Sequence, residues 1–95
     1  MKIEWLPASL EDRDSIYSYI SADSMRAAIH INDAIETQID RLLEYPNMGR
    51  VGRQIHTREL VLVGTPYVAV YMVRPDSVLI VRVLHAAQAW PSQDE

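Results

Sequence analysis

Cysteine is absent from the 95-residue chain. Its absence excludes disulfides and thiolate metal sites and fits a reducing compartment. Lysine is almost absent too: Lys2 is the only one, so positive charge is carried by arginine. No stretch approaches the length of a membrane span. The start, Met1-Lys2-Ile3-Glu4-Trp5, lacks the long apolar run and small-residue cleavage site of a signal peptide. These absences together predict a soluble cytoplasmic protein with no membrane partner. Gly49 and Gly52 are not followed by the GK[ST] of a phosphate loop, and no helix is predicted after them. His30 and His56 have no partner at metal-ligand spacing and read as surface residues, so neither metal nor cofactor is expected.

What is present is enough apolar material for one core. Hydrophobic residues make up 48% of the chain, and the length leaves room for a single domain over residues 1–95, with 92–95 expected as a frayed tail. The net charge of −4 hides a polarity. Residues 1–45 hold four cations against nine acids, whereas residues 46–90 hold five arginines against two acids. Arginine suits planar recognition of carboxylate or phosphate. The acidic balance of the whole argues against a protein that lives on nucleic acid.

Hydrophobic periodicity orders the chain. Residues 2–6 read as a short strand ended by Pro7. Ser9 with Asp12 three residues on has the form of a capping box, opening a helix to about Ile20 with Ile16, Ile20, Leu10 and Tyr19 inward. The break at 21–24 offers two N-caps for a second helix. There Ala28, Ile31, Ile35, Ile39 and Leu42 form one stripe, and the helix should end near Tyr45, before Pro46. Residues 46–53 read as a loop whose glycines permit unusual backbone shapes. Thr57 to Val63 reads as a strand, and 64–66 as a turn. Tyr67–Val73 and Val78–Leu84 flank Arg74-Pro75-Asp76-Ser77, which is hairpin chemistry. Both faces of the first run are apolar, as in a central strand. Tyr67 and Tyr71 read as core.

The order is β-α-α-β-β-β. It predicts an α+β fold, a helical hairpin packed on one face of a mostly antiparallel four-stranded sheet. The other face has no chain left to cover it and is expected to be the functional surface. Simple alternation puts Val78, Ile80 and Arg82 on one side of the last strand, opposite Leu79, Val81, Val83 and His85. Arg82 could pair with Glu59, and His85 could pack on Trp90 or cap the sheet edge by hydrogen bonding.

Several blocks resemble the RelE/ParE superfamily of toxins from type II toxin–antitoxin systems. They are Trp5 with Ile16-x-x-Tyr19-Ile20, the helix exit Leu42 to Arg53, Thr57-Arg58-Glu59-Leu60, Tyr67-Val-Ala-Val-Tyr71 and Val81 to Pro91. Arg13 departs from the family, which usually has leucine there. The resemblance implies a small cytoplasmic toxin neutralised by a cognate antitoxin that wraps it, with DNA reached only through the antitoxin. RelE-like members cut mRNA in the ribosomal A site; ParE-like members inhibit DNA gyrase without cutting RNA. RNA cleavage needs an acid, a base and cations. Val68 and Ala86-Ala87-Gln88 stand where RelE-like nucleases tend to carry basic residues, so the chain lies closer to ParE. If it is a nuclease, Arg58, Arg82 and His85 are its candidate catalytic groups. Arg50, Arg53, Arg58, Arg82 and Trp90 are the candidates for partner binding. Gyrase inhibition by protein binding is the leading expectation. Ribosome-dependent mRNA cleavage, or a non-toxic relative acting only with its antitoxin as repressor or scaffold, are the alternatives.

Overall fold

Pro7 both ends the first strand and starts the first helix. In a computed structural model that describes residues 1–91, strand β1 (Lys2–Trp5) is followed at once by helix α1 (Pro7–Ser21), with Pro7 at the helix's first position. Proline fits there because its missing N–H would be unpaired anyway. Ser9 is therefore not the N-cap. It lies in the first turn, fully buried, and its hydroxyl donates to Leu6 O at 2.6 Å. The expected capping box does not form, which leaves Asp12 free for another partner. Ile16 and Ile20 pack on the core as expected, but Leu10 and Tyr19 are 46% and 79% exposed.

Helix α2 (Met25–Asp40) is capped by Ser24, whose hydroxyl oxygen accepts from Ala27 N at 3.1 Å. A 3-10 turn, Arg41–Leu43, continues it. The stripe is the core contact: Ala28, Ile35, Ile39 and Leu42 are all buried, and Ile31 packs against them partly buried. Burying each of Ile35, Ile39 and Leu42 contributes roughly 1.5–3 kcal/mol relative to exposing it.

The sheet has five strands in the order β1-β5-β4-β3-β2. Strands β3 (Arg58–Val61), β4 (Tyr67–Val73) and β5 (Ser77–His85) form an antiparallel meander, and β1 runs parallel to β5 on the far side. The class agrees with the α+β expectation. The extra strand is β2 (Arg50–Val51), within the segment read as a loop, where two residues pair with Arg58 and Glu59. So short a strand carries no alternation to betray it.

A β-bulge in β5 changes its faces. Val70 pairs with Arg82 but Tyr71 pairs with Ile80, so Val81 is the extra residue. The extra residue shifts the alternation. Val78, Ile80 and Val83 all join Tyr71 and Ala69 in the core under the helices, and Arg82 goes with Val70 to the second face. The expected grouping of Arg82 with Val78 and Ile80 is thus corrected. That second face is also not bare. Val68, Val70 and Leu84 are buried on it, and the segment after β5 reaches it, with the Trp90 ring 5.7 Å from the Arg82 guanidinium. The expected frayed tail, residues 92–95, lies outside the described residues. Among the described residues no helix is long and apolar enough to cross a membrane.

Candidate functional site

Arg50, Glu59, Val70 and Arg82 lie in register on successive strands β2 to β5 and so form one row across the second face. Glu59 is the hub of its first half and is 1% exposed. Arg50 Nη2 donates to its Oε1 at 3.1 Å, while the backbone N–H and Nε of Arg53 donate to Oε2 at 2.8 and 3.1 Å. Burial alone would push this carboxyl up, but the Arg53 and Arg50 hydrogen bonds and the Arg53 charge outweigh it and hold its pKa below 4.5. Glu59 therefore does not pair with Arg82, from which it is two strands removed.

Arg82 pairs with Asp12 of α1. Its Nε and Nη2 donate to the two carboxylate oxygens at 2.7 and 3.0 Å, a bidentate geometry. Asp12 Oδ2 also accepts from Val83 N at 2.9 Å. That backbone group lies past the end of β1, where β5 has no strand to pair with on that side among the described residues. Asp12 thus fastens the first helix to the open part of the β5 edge.

Arg58 belongs to a third arrangement. Its Nη1 donates to Gly49 O at 2.8 Å and Asn47 O at 3.2 Å. From below, Tyr71 Oη accepts from Gly49 N at 2.9 Å and donates to Pro46 O at 2.7 Å. Burial raises the Tyr71 pKa above its usual value, so the phenol stays neutral and can donate. The glycine matters here for space: a Cβ at position 49 would lie 2.6 Å from Tyr71 Oη. Neither Gly49 nor Gly52 has a positive φ, which corrects the reading of them as backbone-shape residues; Gly64, at φ 81°, is the glycine that needs that freedom.

His85 ends β5 and is exposed. Its Nδ1 accepts from Ala87 N at 3.1 Å, and its ring stands edge-on to Tyr67, centroids 5.8 Å apart, rather than on Trp90. It borders a groove of about 490 Å³ between α1 and the sheet, lined also by Ser15, Ile16, Tyr19, Ile20, Pro66 and Tyr67.

The three nuclease candidates do not converge. Arg58 is opposite Tyr71 and His85 opposite Tyr67, four residues along β4, a separation of about 13 Å at roughly 3.3 Å per residue. Arg82 lies between them in register but on the second face, bound to Asp12. Among the described residues no group of three or more His, Cys, Asp or Glu side chains is placed to hold a metal.

Residues 3–90 match the family model of the ParE toxin of type II toxin–antitoxin systems, parDE. The chain belongs to that family. It is 43% identical over 90 residues to Y4kP of Sinorhizobium fredii (strain NBRC 101917 / NGR234), covering 95% of this chain and 93% of that one. It is 39% identical over 87 residues to Toxin RelE2 of Caulobacter vibrioides, covering 92% and 97%. Its fold is that of the chromosomal ParDE toxin–antitoxin system of P. aeruginosa, with TM-score 0.80 and 24% identity over 90% of this chain and 95% of that one. A chain of the intact E. coli RelBE toxin–antitoxin complex is similar at TM-score 0.66 and 14% identity, covering 90% and 96%.

Within this ParE-family chain, Arg13 takes the α1 position expected to hold leucine. Its guanidinium lies 4.7 Å from the Trp5 ring centroid and donates to Asn32 Oδ1 at 2.8 Å. Stacking on an aromatic face lets arginine fill an interhelical apolar position while keeping a polar partner. One contributor escaped the sequence reading: Asp12 looked like a helix-capping acid.

Proposed function

We propose that this ParE-family toxin acts by binding a protein target, DNA gyrase, in the cytoplasm, and that a cognate antitoxin made beside it neutralises it. The observation that supports binding over RNA cleavage is the dispersal of the chain's cations. Arg82 is taken up by Asp12, Arg50 and Arg53 by Glu59, and Arg58 by the carbonyls of residues 47 and 49. In-line attack by a 2′-hydroxyl needs an acid, a base and a cation within reach of one phosphate. Arg58 and His85 are too far apart to serve one. The match to the ParE family model supports the same reading. The antitoxin is supported by the resemblance in fold to chains from ParDE and RelBE toxin–antitoxin systems.

Ribosome-dependent mRNA cleavage is the second reading, favoured by the relative named RelE2 and by the exposed His85 beside an open groove. Expression of the chain without its antitoxin separates the two. A DNA-damage response with intact mRNA is the expected outcome. Cleavage of mRNA on ribosomes, lost in His85→Ala, would sink the gyrase reading. No growth defect would leave a non-toxic partner of the antitoxin.

A further inference from the structure

The outer edge of β3 is closed at both ends and open in the middle. Antiparallel pairing points the backbone groups of alternate residues to opposite sides of a strand. Leu62 N donates inward to Tyr67 O at 3.0 Å, so the groups of residues 57, 59, 61 and 63 point away from β4. Thr57 O accepts from Gly52 N at 2.8 Å, and Glu59 is in register with Arg50. At the other end a side chain takes the place of a strand. Gln38 Nε2 donates to Val63 O at 2.8 Å, and Gln38 Oε1 accepts from Val63 N at 2.7 Å. A primary amide carries donor and acceptor side by side, so it reproduces a peptide group.

Between these two closures Val61, paired with Val68 on its inner side, has no strand partner on its outer side among the described residues, and it is 51% exposed. Beside it is a pocket of about 280 Å³ lined by Met48, Gly49, Arg50, Glu59, Leu60 and Val61. The Arg50 and Arg53 side chains are 60% and 41% exposed and share the single buried carboxylate of Glu59, so this end of the edge is net positive. An open edge position, an adjoining pocket and an uncompensated arginine match an extended peptide with an apolar side chain and an acidic one.

We propose that this edge receives an extended, acidic segment of the antitoxin, and that Gln38 is a plug which the segment displaces. The proposal rests on the antitoxin reading above. Displacement exchanges two amide hydrogen bonds for two backbone ones at Val63, a near-neutral swap. The entering strand gains the Val61 position, fills the pocket beside Met48 and meets Arg50. Without the segment, Gln38 keeps the edge from pairing with other chains, one of the ways proteins protect sheet edges.

The test uses the full chain and the full-length antitoxin encoded in the adjacent reading frame. Amide exchange followed by NMR should slow at least tenfold at Val61 and Val63 in the complex. Gln38→Ala should bind the antitoxin about two- to fivefold more tightly, because a competitor is gone; unchanged or weaker binding overturns the plug. Arg50→Glu should weaken binding at least tenfold and reduce its salt dependence. A complex that forms with Val61 and Val63 exchange unaltered overturns the docking edge but leaves the antitoxin reading standing. Absence of any complex overturns the antitoxin reading itself. Protection appearing at high concentration without antitoxin makes a second copy of this chain the occupant and overturns the assignment.

Discussion

Asp12 holds Arg82 by both carboxylate oxygens, at 2.7 and 3.0 Å, across a separation of 70 residues. The side chains are only 15% and 20% exposed, so solvent screens the pair weakly. Asp12→Ala strands the guanidinium and frees Val83 N, and is expected to cost about 3 kcal/mol. In a domain of this size each kcal/mol lowers Tm by roughly 4–8 °C. Asp12→Asn, which keeps an acceptor, should cost less. Thermal melts of both variants check the ordering; equal costs would show that the carboxylate's charge, not an acceptor held in that place, dominates.

Glu59 makes stability depend on pH. Its folded-state pKa lies below the ordinary 4.5. The carboxylate's contribution is therefore complete above that value and is lost as pH falls through the folded pKa. Urea denaturation should show stability falling below about pH 4.5, and Glu59→Gln should flatten that part of the profile. An unchanged acid profile in the variant would assign the loss to other carboxylates.

The hydroxyl of Tyr71 and the missing side chain of Gly49 are one device. Gly49→Ala would bring a Cβ to 2.6 Å from Tyr71 Oη and 2.7 Å from its ring carbon Cε1, at a cost of about 1–3 kcal/mol. Tyr71→Phe removes two hydrogen bonds and should cost about 1–3 kcal/mol. The double variant should cost less than the sum, since the hydroxyl clash disappears. Additive costs in denaturant unfolding would contradict the shared origin.

Ser24→Ala should cost about 1 kcal/mol through loss of the α2 cap, whereas Ser9→Ala should leave helix initiation intact because Leu6 and Pro7 set it. Circular dichroism melts of the two variants distinguish them.

The helix stripe and the 67–84 hairpin were legible because period and turn chemistry are local properties. The α2 positions Ala28, Ile35 and Ile39 and the buried strand β4 follow from the residues alone. What escaped depends on contacts between distant segments. The bulge at Val81 leaves no mark in a run of apolar residues, yet it decides which face Arg82 and Val83 occupy. Asp12 looks like a capping acid until the end of β1 exposes the β5 edge to it. The row of Arg50, Glu59 and Arg82 requires the register of four strands, and the role of Gln38 requires α2 to lie beside Val63. The arginines could thus be picked out from the sequence, but their partners in the fold could not.

The proposed function is gyrase binding by this ParE-family chain, with Arg82 and Arg58 engaged within the fold rather than gathered at a catalytic centre. Supercoiling of relaxed plasmid by purified DNA gyrase, with the purified chain added, tests it most directly. The expected result is inhibition that grows with the chain's concentration, persists in His85→Ala and is reversed by the antitoxin. Undisturbed supercoiling, together with ribosome-dependent mRNA cleavage that His85→Ala abolishes, would contradict it.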